Sequence, residues 1–162
     1  MNKKYYISQI NIKPIKQNER GIPKYAIYKA EISKFGIEGD GNIHRSMKDN
    51  NNADRAISIL TDDVINQLNK EGWPIKPGHL GENLSLKNIK YKSIQPKQKY
   101  LIGSTIIQIS FACTPCSTLR LLPYIGNQRI KEFTKTLTNR RGWYARVLQP
   151  GKITKNDLIV LL

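Results

Sequence analysis

The chain has 162 residues, enough for one domain that buries most of its apolar surface. Its 39% apolar and 24% charged residues exclude a disordered chain, and no apolar run approaches the ~20 residues that cross a bilayer. With 27 Lys+Arg against 12 Asp+Glu the formal charge is +15, which invites an anionic partner. The basic residues are nevertheless scattered, with no block of five like charges and no RNP-like aromatic strand. The charge is therefore read first as a generally basic, well-solvated surface. A basic β-barrel that binds nucleic acid without catalysis is the alternative.

The opening MNKKYYISQINIK lacks the apolar stretch and the cleavage site of a secretion signal. It reads as the first strand, 5–12, of a cytoplasmic protein. Residues 24–32 read as a second strand and 55–60 as a third, while the Asn/Asp-rich 47–54 reads as a mobile loop. Thr61 is placed to cap a helix over 61–72, with Asp62 and Asp63 in its first turn and Gly72 at its end. Val64, Ile65 and Leu68 give that helix one apolar face. A loop carrying Pro74, Pro77, Gly78 and Gly81 leads into a strand over 82–89. Residues 99–112 read as a hairpin turning near Gly103, 117–122 and 127–137 as helices, and 143–149 and 153–162 as the last strands. Many short strands with Gly/Pro punctuation and two or three helices suggest one closed or partly closed β-barrel spanning 1–162.

The two cysteines, Cys113 and Cys116, stand in a C-x-x-C spacing within FACTPCSTLRLL. A redox dithiol of thioredoxin type opens a long helix after an early parallel strand, whereas here Pro123 stops the helix and the strands read as hairpins. The histidines that could complete a zinc site, His44 and His79, lie far outside the H-x(3–5)-H spacing of recognisable sites. A disulfide is disfavoured in a reducing compartment. Thr114-Pro115 is a favourable helix start, so Cys116 is expected in a first turn, where a thiolate is favoured. Cys113 falls before the cap and is less clearly favoured, and judged by the cysteines alone the reading as two buried, inert thiols is the stronger one.

Three further segments concentrate glycine beside polar groups: FGIEGDGNIH (35–44), PGHLGENL (77–84) and RRGWYARVLQPG (140–151). Together with RAISIL before the T-D-D helix and with TPCSTL, they resemble the MOSC domain family, the molybdenum cofactor sulfurase C-terminal domain, over residues 22–162. The resemblance implies a mainly β, pyruvate-kinase-like barrel with two or three short helices, of the small stand-alone type. It further implies that a single cysteine, matching Cys116, binds molybdenum in the molybdenum cofactor (molybdopterin). The Gly-Asp pair carries over to Gly39 and Asp40, the histidine to His44, the G-E-N motif to Gly81, Glu82 and Asn83, and the last motif's arginine to Arg146. On this reading Cys116 is the metal ligand, while Asp40, His44 or Asn83 orients substrate and moves protons. Gly39, Arg55, Gly81, Glu82 and Arg146 then hold the anionic cofactor. The implied activity is reduction of N-hydroxylated compounds or carriage of cofactor sulfur. The chain has no dinucleotide, flavin or Fe–S motif, so a small-molecule substrate and an electron-donor or sulfur-donor protein are the expected partners.

Overall fold

In the computed structural model the described residues are 3–14, 16, 20–41, 50 and 52–162. The barrel is built from β1 (Tyr5–Ile12), β5 (Ile57–Thr61), β6 (Leu84–Lys87), β7 (Lys99–Ile102), β8 (Thr105–Ala112), β9 (Trp143–Gln149) and β11 (Leu158–Leu161). These seven strands run in the spatial order β1–β6–β5–β9–β8–β7–β11, and β11 returns to β1 through Tyr5↔Ile159 and Tyr6↔Leu158. Closure leaves no free edge around the ring. The expected closed or partly closed barrel is thus closed.

Every pairing in the barrel is antiparallel except β5 with β6, where Ile59 lies beside Leu84. A parallel pair needs a crossover, and the chain supplies one with helix α1 (Asp62–Lys70) and the Pro/Gly loop behind it. Thr61 stands at the cap position of α1 in extended backbone, but its hydroxyl makes no capping bond and is buried without a partner among the described residues. Gly72, at φ +92°, follows the Glu71 C-cap as expected.

Two single strands of the sequence reading are each two strands. Residues 24–32 divide into β2 (Tyr25–Ile27), which pairs with β1, and β3 (Lys29–Ser33), which leaves the barrel. Beside β3 lie β4 (Gly36–Ile37) and β10 (Gly151–Thr154), making a separate three-stranded sheet. Residues 153–162 divide at a turn in which Asn156 has φ +73° and the Asp157 carboxylate accepts from Thr154 N–H at 2.7 Å. Asn and Asp are turn residues for this reason. The reading of 117–122 as helix corresponds to a 3₁₀ helix, Ser117–Leu121, and that of 127–137 to α2 (Gly126–Thr136). Of the loop expected over 47–54, Ala53–Arg55 is a 3₁₀ turn capped by the Asn52 side chain; 47–49 and 51 lie outside the described residues.

Two apolar clusters fill the molecule. Ile7, Ile10, Ile57, Ile59, Leu84, Leu86, Ile102, Ile107, Ile109, Ala145, Val147 and Ile159 come from all seven barrel strands and form the barrel interior. Leu60, Val64, Ile65, Leu68, Trp73, Leu80, Leu119, Leu122, Phe133 and Leu137 pack α1, α2 and their loops outside it. Strand β5 is buried at every residue because Ile57 and Ile59 face the interior while Leu60 faces the helices. Ile59→Ala and Leu60→Ala should therefore both lower the unfolding free energy by about 2–5 kcal/mol in urea titrations, since each empties a packed site. An outward residue on an ordinary barrel strand would tolerate the change.

Candidate functional site

The Asp40 carboxylate is fully buried. Its Oδ1 accepts the Lys13 backbone N–H at 2.8 Å. Its Oδ2 accepts from Lys24 Nζ at 2.6 Å and from Asn83 Nδ2 at 2.8 Å. Asn83 in turn accepts the Ser58 N–H at 3.1 Å and the Ser58 hydroxyl at 3.0 Å through its Oδ1. One charge thereby joins the end of β1, the segment before β2, the Gly-Asp turn, β5 and the entry to β6. Asp40 and Asn83, read apart in the sequence, touch. Gly39, at φ +82°, is exposed, with open space where a Cβ would stand. His44 lies outside the described residues.

Glu82, next to Asn83, is also buried, and its Oε1 accepts from Gly78 N–H at 2.6 Å and from Ser85 Oγ at 3.0 Å. Its Oε2 has no hydrogen-bond partner among the described residues. Burial pushes the Glu82 carboxyl above the ordinary carboxylate range, against the lowering effect of those donors and of Arg141. Gly81 does not face open space: a Cβ there would meet Ile22 and the Gly21 carbonyl at 3.0 and 3.2 Å.

Arg141 links this pair to the cysteines. It is 9% exposed, donates to the Leu80 carbonyl, and leaves its Nε without a partner among the described residues. It acts electrostatically on both Glu82 and Cys113. Arg141, within RRGWYARVLQPG, is not among the site residues that the sequence predicts. The available signal was the glycine after it: Gly142, at φ +123°, has space for no Cβ, which would lie 2.5 Å from the Ile59 carbonyl. The start of β9 thus lies tight against β5, and the buried Arg141 directly precedes that contact. Tyr124 was also missed. Its hydroxyl lies 2.7 Å from His79 Nδ1, and burial, then Glu82, pushes its ionisation up. Burial, then Lys76, pushes the His79 imidazole down.

Cys113 follows β8, is buried, and donates its N–H to the Gly142 carbonyl at 2.8 Å. Burial raises its thiol to about 11, opposed by Arg141, a hydrogen bond with Tyr144, and Arg55, with Cys116 adding to the rise. Cys116 is exposed. Instead of entering the first turn of an α-helix, it is the extended N-cap of the 3₁₀ helix Ser117–Leu121. Pro115 thus lies outside the helix, and five residues of 3₁₀ geometry do not build the aligned dipole expected for it. What distinguishes the two thiols is access.

On the outer face of β8 and β9, the Arg55 guanidinium sits 5.6 Å from the Phe111 ring centre and 5.5 Å from that of Tyr144. Arg146 is held by Asp54, with Nε 2.6 Å from Oδ1. Arg55, Arg141, Tyr144 and both cysteines therefore share one neighbourhood, with Arg146 beside it. Asp40 and Asn83 join it through Ser58, which lies opposite Tyr144 in the β5–β9 pairing. Among the described residues, no group of three or more His, Cys, Asp or Glu could hold a metal ion, and no helix is long and apolar enough to cross a membrane.

A family model described as the MOSC domain matches residues 40–160. The crystal structure of YiiM from Geobacillus stearothermophilus superposes with a TM-score of 0.73 at 25% identity, covering 98% of this chain and 75% of that one. The YuaD protein from Bacillus subtilis gives 0.80 at 18% identity, covering 97% and 94%. YiiM from Escherichia coli gives 0.68 at 19% identity, covering 99% and 70%. No curated protein matches the chain by sequence.

Two outcomes follow from the burial just described. At neutral pH a maleimide or aromatic disulfide reagent should modify one thiol per native chain and two in denaturant, and Cys116→Ala should abolish the native reaction. Glu82 has its folded-state value raised, so its contribution is fully present below the unfolded carboxylate range and is lost as pH rises through the folded value. Between pH 4 and 7, Glu82→Gln should therefore gain stability relative to the unsubstituted protein, measured by urea unfolding at each pH.

Proposed function

We propose a function from one premise: the chain belongs to the MOSC domain family. Within that family, which is associated with the molybdenum cofactor, the protein binds the cofactor through Cys116 and reduces N-hydroxylated small molecules. The observation that carries this reading is the contrast between the exposed Cys116 and its neighbour Cys113, which is sealed in the fold beside Arg141 and Arg55.

The donor set fits such a group. A thiolate is a soft ligand that can join a metal whose other ligands arrive with the cofactor itself. The cofactor's phosphate is anionic, and the Nε of buried Arg141, which has no hydrogen-bond partner among the described residues, supplies a donor for it. Arg55 adds charge from the rim, and Gly39 offers backbone that a ligand can approach closely. Arg146 contributes less directly, since Asp54 already holds it. When bound, the group supplies a centre that takes up two electrons and passes them on.

This chain's residues do the rest. Reducing an N–OH compound breaks one N–O bond, consumes two electrons and two protons, and leaves an N–H and water. Protons reach the leaving oxygen from a group within hydrogen-bond reach. His44, four residues after Asp40, is the proposed donor because the Asp40 and Asn83 side chains are committed to each other, Lys24 and Ser58. Those two hold the frame to which the cysteine neighbourhood is joined through Ser58 and Tyr144.

After expression in a host that makes the cofactor, the protein should contain close to one molybdenum per chain. Cys113→Ala should retain it and Cys116→Ala should lose it. With a reductant, the loaded protein should convert an N-hydroxylated purine or an amidoxime to the corresponding base. Molybdenum bound without any reduction would instead support carriage of cofactor sulfur. Equal loss of metal in both cysteine variants would contradict the assignment of Cys116 alone.

A further inference from the structure

One mouth of the barrel is covered by residues 88–98. Ile89 and Ile94 turn into the barrel interior, while Lys87, Lys90, Lys92, Lys97 and Lys99 all stay exposed. Strand β1 begins at the same mouth, where Tyr6 lies opposite Lys87 and the Asn88 side chain donates to the Lys4 carbonyl at 2.9 Å. Lys3 and Lys4 thus join the five other lysines. Apolar groups stand among these cations: Tyr5 and Leu158 from the β1–β11 pairing, and Leu161 opposite Tyr100, with Tyr5 39%, Leu158 47% and Leu161 52% exposed.

The seven lysines of this face outnumber the carboxylates at its edge. The sequence has no Asp or Glu between Glu82 and Glu132. Among the described residues, none of the seven lysines forms a salt bridge. Asp62, which Lys87 influences electrostatically, and Asp63, whose carboxylate accepts the Tyr91 N–H at 3.3 Å, mark one edge.

The face also reaches the cysteines. Between Lys90 and Lys92, Tyr91 turns its ring inward to 5.5 Å from that of Trp143. Its hydroxyl donates at 3.4 Å to the Gly142 carbonyl, the same oxygen that accepts Cys113 N–H at 2.8 Å. A molecule seated on the lysines is therefore separated from the cysteine neighbourhood by little more than one aromatic pair.

We propose that this mouth is the docking face for a small acidic electron-carrier protein. The proposal rests on the reductive reading above and names how its two electrons arrive: the reduced carrier is oxidised, and the electrons are consumed with two protons in cleaving the substrate N–O bond. Charge complementarity selects an acidic partner and speeds its encounter. The apolar centre within a charged rim has the anatomy of a protein interface. RNA recognition draws instead on stacked aromatic rows and arginine planes, and this face offers lysines, leucines and Tyr5.

The test uses the full, cofactor-loaded chain and two charge-reversal variants, Lys90→Glu/Lys92→Glu and Lys97→Glu/Lys99→Glu. Reduction is driven either by chemically reduced benzyl viologen or by a reduced acidic flavodoxin, and flavodoxin binding is measured separately by calorimetry at low salt. Each variant should weaken flavodoxin binding and raise its KM about tenfold, with viologen-driven rates unchanged and the difference shrinking as salt rises. Unchanged binding and KM in both variants would overturn the docking face. So would absence of flavodoxin binding while an RNA oligonucleotide binds the unsubstituted protein through these lysines. If neither reductant supports turnover the functional reading fails, and the calorimetric comparison still decides the docking face.

Discussion

The buried Asp40 carboxylate is the constraint on which the arrangement depends. A charge inside a protein persists only when it is paired and its remaining acceptor sites are filled. Here the ammonium of Lys24, the amide of Asn83 and the backbone of Lys13 do both. Those partners come from segments distant in sequence, so the ion pair acts as a register device. The Gly-Asp turn has to lie against the β1 end, and Asn83 has to enter β6 at the height of Ser58. Once Ser58 is fixed, so is Tyr144 opposite it on β9. Gly142 then meets the Ile59 carbonyl, and Cys113 is tied to the Gly142 carbonyl.

From that frame the contrast between the two cysteines follows. Cys113 lies where β8 and β9 are still joined, so it is enclosed and its thiol stays protonated well above neutral pH. Cys116 lies three residues further on, past the last pairing, and is exposed. The C-x-x-C spacing is a consequence of where the strand ends. The arginines gather for different reasons. Arg141 is held inside by the Leu80 carbonyl, whereas Arg55 rests on Phe111 and Tyr144.

Much of this was legible in the sequence wherever local chemistry decides. The T-D-D helix start, Gly72 and Gly103 each placed an element correctly, because turn and cap preferences act over a few residues. The barrel class followed from the many short, punctuated strands, and the family from motif order. Residues 24–32 and 153–162 were read too long because each half finds a different partner, and propensity says nothing about partners. The pairing of Lys24 with Asp40 had no local signal at all. A lysine before a tyrosine strand reads as surface, and only the closure of the fold makes it interior. Arg141 had a signal in its glycine neighbour, which went unused because an arginine pair normally reads as solvated charge.

The claim that this buried pair sets the frame is tested most directly by a double-mutant cycle on Asp40→Leu and Lys24→Met, followed by urea unfolding. Each single change strands one buried charge or its partner and should cost about 3–5 kcal/mol. The double variant should recover much of that loss, so that the two effects fall far short of adding. Two small, additive losses would mean that the pair contributes no more than an exposed one, and the account of the frame would be wrong.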